Sequence, residues 1–331
     1  MARGALDADR PGIHQHDPGL PGRTRPGHAA FVLTPDARHP LPLRRPAMKR
    51  GYADTPHGQI HYAVAGQGAP VVLIAPSKRS SRVHADLIPL LARRYRVLAP
   101  DNYGYGNSDP LPPEATIDML AEGVMASLDA IGEKRAHFYG LHTGNKIAAA
   151  IAARWPDRVG KLVLAGHSHS LIPDQARRNA VIGDLVKDFL KADTAGEGPL
   201  RELKAWAALF RRIDAVWWDD ALFAGGDTAA RIALAKRVVL DYLQSADSTV
   251  GLYQANFNYD LGDAMTRIKA PTLILEIATP AEDRDYGRQA EHVQRLIPGA
   301  YVATLHEAEG HTHTLEGRAA DVARILGEFF A

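Results

Sequence analysis

The stretch His137-Phe138-Tyr139-Gly140-Leu141-His142-Thr143-Gly144-Asn145-Lys146-Ile147 decides the fold of this 331-residue chain. It starts with an apolar, strand-like segment at 136–139 and passes through a Gly-x-His-x-Gly turn. The Ala-rich segment at 147–155 that follows has the composition of a helix. Glycines on both sides suit a strained turn and let the helix approach the strand closely. The pattern predicts a strand, a sharp turn and a helix, with the imidazole of His142 at the tip of the turn.

Three further motifs accompany this strand-turn-helix unit in a fixed order, one before it in the chain and two after it. Residues 101–109 read D-x-x-G-x-G-x-S-D, residues 268–273 read I-x-x-P-T-L, and residues 310–316 read G-H-x-x-x-x-E. With a nucleophile elbow at 140–144, the chain resembles the α/β-hydrolase superfamily from about residue 49 to residue 331. The resemblance implies an α/β-hydrolase fold. This is a mostly parallel eight-stranded sheet with helices on both faces and a helical lid before the last two strands.

Composition divides the chain into three parts. Residues 1–47 hold eight of the 22 prolines, no lysine, no glutamate and no apolar periodicity, so we predict a disordered extension. Residues 48–170 and 264–331 are predicted to form the α/β-hydrolase core. Residues 171–263 have helical patterning rich in aromatic residues and are predicted to form the lid. Most of its rings should pack together as the core of the lid, and one or two should line an apolar pocket.

Local patterns predict the other elements of the core. A hairpin is expected at 52–64 with its turn at 56–58. Apolar runs predict strands, and amphipathic periodicity predicts helices. The strands are expected at 71–74 and 95–99, at the end of the segment 155–164, within the segment 268–275 and at 301–305, and the helices at 83–93 and 117–131.

Composition also limits the classes of partner. The net charge of +1 gives no reason to expect nucleic acid or an anionic membrane as a partner. No apolar run is long enough to cross a bilayer, and the N-terminus lacks the apolar core of a secretory signal. The chain has no cysteine, which excludes disulfides and thiol catalysis. We expect a cytoplasmic enzyme with a small-molecule substrate and no cofactor. The oligomeric state is left open, with a homodimer as one option.

The resemblance implies a nucleophile, an acid and a histidine on three separate loops. His142 occupies the nucleophile position, where a serine, cysteine or aspartate is usual. His311, in the G-H-x-x-x-x-E motif, takes the position of the catalytic histidine. Spacing from the neighbouring helix favours Glu282 as the acid that orients it, with Asp283 as the second choice. Glu276 is the third choice because it lies inside a predicted strand.

The loop after the strand at 71–74 departs from the family pattern. In the superfamily this loop supplies a backbone N–H to the oxyanion hole, but Pro76 has none. Ser77 is therefore the expected donor, and Thr143 the second. The next residues, Lys78 and Arg79, form either a solvated basic pair or a site for a substrate carboxylate or enolate.

Two routes of catalysis suit a pair of imidazoles. A neutral imidazole is nucleophilic near neutral pH, so His142 could form an acyl-imidazole that water activated by His311 then hydrolyses. Alternatively, the two rings act as general base and general acid on water or on a C–H bond. Substrates that fit are small and largely apolar, with an ester, thioester, lactone, or C–C or C–X bond to be cleaved.

Three alternatives remain open at this stage. A metal-dependent hydrolase would use a zinc site formed by His142 and Glu282 with several other histidines, namely His167, His169, His311 and His313. A non-catalytic protein of this fold would bind a ligand under the lid. In the third alternative Ser168 is the nucleophile, because Gly166-His167-Ser168 has the first residues of a serine-hydrolase motif. The second glycine of that motif and the helix that should follow the serine are missing.

Overall fold

A mixed sheet forms the centre of the computed structural model, which describes residues 47–166, 228–278, 288–306 and 315–331. Its strands are β1 (Lys49–Thr55), β2 (Gly58–Ala65), β3 (Ala69–Ile74), β4 (Tyr95–Pro100), β5 (Ala136–Leu141), β6 (Val159–Ala165), β7 (Thr272–Ala278) and β8 (Tyr301–His306). Their spatial order is β1-β2-β4-β3-β5-β6-β7-β8. β2 pairs antiparallel with β1 and β4, and the remaining pairs are parallel. The predicted eight-stranded, mostly parallel sheet is confirmed.

The helices of the described ranges connect these strands or follow them. They are α1 (Ile88–Leu91), α2 (Ile117–Ala130), α3 (Thr143–Arg154), α4 (Thr228–Gln244), α5 (Thr249–Asn258), α6 (Leu261–Thr266), α7 (Ala290–Leu296) and α8 (Ala319–Phe330). Short 3-10 turns cover Ser81–His84, Pro156–Arg158, Ala246–Ser248 and Glu316–Arg318. None of the helices within these ranges is long and apolar enough to cross a membrane.

Helices cover both faces of the sheet because alternate side chains of a strand point to opposite faces. On β3, Val72 and Ile74 pack into one apolar core together with α2, α3, α6 and α7. Val71 and Leu73, between them, pack into a second core with α1 and α8. The runs of apolar residues in these strands therefore reflect burial on two sides, and the predicted coverage of both faces is confirmed.

The predicted hairpin is present at the antiparallel edge of the sheet. β1 and β2 pair with Thr55 opposite Gly58, so the turn consists of Pro56 and His57. Gly58 has a φ of +119°, a conformation that glycine adopts without steric cost. The hairpin is therefore closed by the residues that the sequence indicated.

Two predicted helices differ from the observed ones. The helix expected at 83–93 is wrong, since a 3-10 turn at Ser81–His84 is followed by a separate short helix, α1. Pro89 lies in the first turn of α1, where its missing N–H costs no hydrogen bond, so a helix begins there and does not continue through it. The helix expected from 147 begins earlier, at Thr143, because the turn residue His142 is itself its N-cap.

Part of the predicted lid lies within the described residues. Between 228 and 263 the chain forms α4, α5 and the start of α6, which agrees with the helical patterning. The remainder of that segment, 171–227, and residues 1–46 of the predicted extension lie outside the described residues. The boundaries of the extension, core and lid therefore stay predictions.

Candidate active site

His142 joins the end of β5 to the start of α3 in a strained conformation. Its φ is 49° and its ψ is −107°, which is rare for a residue that has a Cβ. Its backbone N–H donates to the carbonyl of Ala165 at 2.9 Å, which ties the turn to the end of β6. Such a conformation costs about 1–3 kcal/mol and persists only where the surroundings impose it. The strain of the turn therefore falls on the residue at its tip.

The two glycines of the turn are needed for close approach of the backbone. A Cβ on Gly140 would lie 2.2 Å from the carbonyl oxygen of Gly144. A Cβ on Gly144 would lie 2.3 Å from the carbonyl oxygen of Ile74 in β3. Neither distance leaves room for a side chain, so both positions require glycine and bring the turn against the neighbouring strand.

The imidazole of His142 lies over the backbone at the end of β6. A Cβ on Gly166 would lie 2.7 Å from both Nδ1 and Cε1 of the ring. His142 is 7% exposed. Gly166, the first residue of the Gly-His-Ser sequence at 166–168, thus has a role that its sequence context did not suggest. Its lack of a side chain leaves space for the His142 ring.

Ser77 and Thr143, the two predicted oxyanion donors, lie next to each other. Ser77 comes shortly after β3 and Thr143 directly after His142, and their hydroxyl oxygens are 2.5 Å apart. The structure thereby brings together the two loops that the prediction combined. The backbone N–H roles assigned to these residues stay predictions.

Asn256 of α5 completes this group and was missed by the sequence analysis. Its Nδ2 donates to Thr143 Oγ1 at 2.9 Å and to Ser77 Oγ at 3.2 Å. Its backbone carbonyl accepts a hydrogen bond of 2.9 Å from Nζ of Lys146, a buried residue of α3. No local motif marks Asn256, because the contact depends on how α5 packs against two distant loops.

Lys78 is buried on the same loop as Ser77. Its φ of 62° is in the left-handed region, and its side chain is buried. Its Nζ lies 5.6 Å from the ring centroid of Tyr242 and 5.5 Å from that of Tyr253, within the range of a cation–π contact. Burial lowers the pKa of Lys78 from 10.5 to about 8. The alternative in which both residues of this pair are solvated is wrong, because Lys78 and Arg79 are both buried.

Arg79 forms a buried ion cluster with two carboxylates. Its Nη1 and Nη2 donate to the Oε2 and Oε1 of Glu316 at 2.6 and 2.7 Å, and its Nε donates to Oδ2 of Asp241 at 3.1 Å. Burial alone would lower the pKa of Arg79, but Glu316 and Asp241 reverse this and raise it above its ordinary value. Arg79 therefore joins the loop after β3 to α4 and to Glu316. The substrate contact predicted for this pair stays a prediction.

The position of Glu316 connects this cluster with a sequence motif. Glu316 is the last residue of the G-H-x-x-x-x-E motif, and its carboxylate receives the bidentate pair from Arg79. Bidentate arginine–carboxylate pairs fix geometry as well as charge. The last residue of the motif is thus anchored to the loop that carries Ser77 and Arg79.

Several predicted residues lie outside the described residues. These are His311, Glu282, Asp283, Ser168, His167, His169 and His313. Glu276 is described, and its carboxylate accepts from the N–H of Ala290 at 3.2 Å and lies 3.6 Å from Nη1 of Arg288. Within the described ranges no group of three or more histidine, aspartate or glutamate side chains could hold a metal ion.

The comparisons with known proteins agree with one another on the family that this chain resembles. The sequence profile of a family described as alpha/beta hydrolase fold matches residues 70–216. A 2-hydroxy-6-oxononadienedioate/2-hydroxy-6-oxononatrienedioate hydrolase of Paraburkholderia xenovorans is 28% identical over 76% of this chain and 82% of its own length. A pyrrolizixenacetamide deacetylase of Xenorhabdus hominickii is 25% identical over 78% of this chain and 90% of its own.

Solved structures show the same fold. The crystal structure of an enol-lactonase from Burkholderia xenovorans superposes with a TM-score of 0.64 at 22% identity. The match covers 84% of this chain and 99% of the enol-lactonase. The likeness at this level of identity concerns the fold and supports the assignment of the sheet and its order of strands.

Proposed function

Because this chain belongs to the α/β-hydrolase superfamily, we propose that it is a hydrolase in which His142 takes the place of the usual nucleophile. The observation that supports this most directly is the strained backbone of His142 between β5 and α3. A non-glycine residue in such a conformation is costly, and such residues cluster at active sites. A histidine that is held in this way presents a polar, titratable ring at the position where the family carries out its chemistry.

The proposed mechanism keeps both chemical routes. In the first, Nδ1 or Nε2 of His142 attacks the substrate carbonyl, the bond from the carbonyl carbon to the leaving group breaks, and the resulting acyl-imidazole is hydrolysed to the acid. In the second, His142 acts as a general base or acid together with His311 and is never acylated. In both, His311 is the general base for water and Glu282 orients it, while backbone N–H groups of Ser77 and Thr143 stabilise the developing oxyanion.

The proposed substrate is small and largely apolar and carries a carboxylate. It would offer an ester, thioester, lactone or C–C or C–X bond for cleavage. Lys78 supports the anionic group, because its ammonium lies near the oxyanion loop between two tyrosine rings. The relative from Paraburkholderia xenovorans is named as a hydrolase of dioates, which are carboxylates. The rings of Tyr242 and Tyr253 would contact the apolar part of such a substrate.

Substitution of the two histidines tests this proposal. The wild type is screened with p-nitrophenyl esters and lactones, and His142→Ala and His311→Ala are compared with it. Each change should lower turnover by about 10²–10⁴-fold, the loss expected for a general base, or by more if His142 is acylated. Ser168→Ala serves as the control and should keep its activity. Mass spectrometry of the elbow peptide after rapid quenching distinguishes an acylated His142 from an unmodified one.

Three outcomes would contradict parts of the proposal. An active His142→Ala variant would remove His142 from the chemistry. A wild type that is stabilised by ligands but turns over none of them would indicate a non-catalytic binding protein. Stoichiometric metal in protein purified without a histidine tag would favour the metal-dependent alternative.

A further inference from the structure

A small hydrogen-bonded group beside the elbow holds more donors than it can use internally. We call the side chains of Ser77, Thr143 and Asn256 the amide–hydroxyl cluster. The two hydroxyls bond to each other at 2.5 Å, and the amide nitrogen donates to both, at 2.9 and 3.2 Å. Thr143 and Asn256 are buried. The three residues come from the elbow, the loop after β3 and helix α5, so the cluster joins three separate parts of the chain.

A count of the N–H and O–H hydrogens shows that the cluster has one more donor than it can use internally. Asn256 has two N–H hydrogens, and both are used toward the hydroxyl oxygens. The two hydroxyls supply one hydrogen each, and their mutual bond uses one of them. One O–H hydrogen is therefore left over, since no further acceptor for Ser77 or Thr143 occurs in the described part of the chain. Among the described residues, the cluster therefore has no acceptor for this hydrogen.

If the side-chain amide of Asn256 is rotated by 180°, so that its oxygen and nitrogen exchange places, the cluster still has a donor without an acceptor. In that orientation the amide oxygen accepts from a hydroxyl, and the N–H hydrogens are left without an acceptor instead. In the observed orientation Oδ1 of Asn256 is buried and accepts no hydrogen bond from the described residues. In either orientation at least one donor of the cluster has no acceptor among the described residues. Buried donors are seldom left unsatisfied, because the cost is high.

The surroundings of the cluster favour a negatively charged acceptor. Thr143 directly follows His142, so the cluster lies beside the reacting position. The buried Lys146 donates to the backbone carbonyl of Asn256, so one ammonium group contacts a residue of the cluster. The buried Lys78 follows Ser77 on the same loop. Hydrogen bonds to an ionised acceptor are shorter and about twice as strong as neutral ones.

The geometry points to Asn256 as a positioning residue, one that orients the Ser77 and Thr143 hydroxyls so that one of them donates to an anionic oxygen of the substrate. This inference rests on the proposed function and extends it, because it adds a side-chain donor to the two backbone N–H groups of the oxyanion hole. It also makes the donor depend on α5, since Asn256 is in contact with the two loops only when α5 is packed against them.

The test uses a matched pair of substitutions on one helix. Asn256→Asp replaces the N–H donors by an acceptor, whereas Asn258→Asp adds the same charge at an exposed position two residues further on. Benzoate serves as a probe that cannot be hydrolysed, and its Kd is measured by calorimetry with the full-length protein. Benzoate binding by Asn256→Asp should be weaker by about tenfold or more, the factor for a lost hydrogen bond to a charged group. Asn258→Asp should bind like the wild type.

A second pair protects the test against a variant that does not fold. Thr143→Ser keeps the hydroxyl, and Thr143→Val removes it at nearly constant volume. With p-nitrophenyl esters, Thr143→Val should lower kcat by about 10²-fold, as for loss of an oxyanion donor, with little change in KM. Thr143→Ser should recover most of that loss, which a purely structural role for the side chain would not predict.

The outcomes separate this inference from the proposed function. Equal benzoate affinity in Asn256→Asp and Asn258→Asp would overturn the inference, as would a wild type that does not bind benzoate. His142→Ala should still bind benzoate. If that variant also kept its turnover, the proposed role of His142 would fail, while a loss of benzoate binding confined to Asn256→Asp would still support the inference.

Discussion

Lys78 and Arg79 are consecutive, cationic and buried, yet their surroundings shift the pKa of the two side chains in opposite directions. Lys78 lies near the rings of Tyr242 and Tyr253, and burial lowers its pKa to about 8. Arg79 donates to Glu316 and Asp241, and these carboxylates raise its pKa although burial alone would lower it. The charge of Arg79 is therefore neutralised inside the fold, whereas the charge of Lys78 is destabilised.

This difference assigns the two residues to different tasks. A buried cation that is held by two carboxylates has its hydrogen bonds directed by the protein and serves to join segments. A buried ammonium with a lowered pKa is suited to bind an anion that arrives from solution, because the arriving charge offsets the cost of burial. One loop thus combines an anchor and a proposed substrate contact in neighbouring positions.

The largest expected effect is on stability and comes from Arg79. Arg79→Met should lower the free energy of unfolding by about 3–5 kcal/mol, because the buried carboxylate of Glu316 loses its bidentate partner and that of Asp241 loses one of its hydrogen bonds. Urea denaturation monitored by fluorescence measures this change. Arg82→Met is the control, since Arg82 also donates to Asp241, at 3.2 Å, but is 32% exposed. Equal losses in the two variants would show that the Arg79 cluster is not the anchor.

The next effect is on substrate preference and comes from Lys78. Lys78→Met should leave the free energy of unfolding unchanged or raise it, because a charge that burial disfavours is removed. Its kcat/KM for the p-nitrophenyl hemiester of succinate should fall about 10- to 100-fold, as for loss of a hydrogen bond to a charged group. The neutral p-nitrophenyl acetate is the matched substrate and should be affected little. A parallel loss with both esters would refute the carboxylate contact.

The smallest expected effect is a pH dependence of the substrate preference, which distinguishes the charge of Lys78 from that of Arg79. The ammonium of Lys78 is charged below a pH of about 8 and neutral above it. The preference for the succinate hemiester over the acetate ester should therefore fall as pH rises through 8, approaching tenfold per pH unit. Arg79 stays charged over this range and should not contribute. In Lys78→Met the ratio should be flat, and a wild-type ratio that is equally flat would contradict the assignment.

The strands could be predicted well because each depends on a local pattern. Apolar runs located β3 to β8 to within a few residues, and Pro56-His57-Gly58 located the hairpin turn. The helix predicted at 83–93 is wrong because Pro89, inside an apolar spacing that is otherwise typical of one helix, lies in the first turn of a separate helix. The start of α3 was placed too late because a histidine in a strained conformation gives no sign in sequence that it is an N-cap.

The residues of the candidate site also divide into those that a local motif predicts and those that depend on packing between distant segments. His142, Ser77 and Thr143 could be predicted as candidates because each lies at a fixed place relative to a motif, and the structure brings the hydroxyls of Ser77 and Thr143 together. Asn256 and Asp241 could not be found, because each acts across more than 100 positions of sequence through the packing of α5 or α4. Sequence could not separate Lys78 from Arg79 either, since both are cations on one loop.

The sequence by itself determined the positions of the strands along the chain and the sharp turn that carries His142. These features follow from local rules, namely the period of apolar side chains and the need for glycine where backbones touch. Only the tertiary structure decided which charge on the loop is neutralised and which side chains surround the hydroxyls of Ser77 and Thr143. Burial and pairing set those properties, and both depend on residues that are distant in sequence.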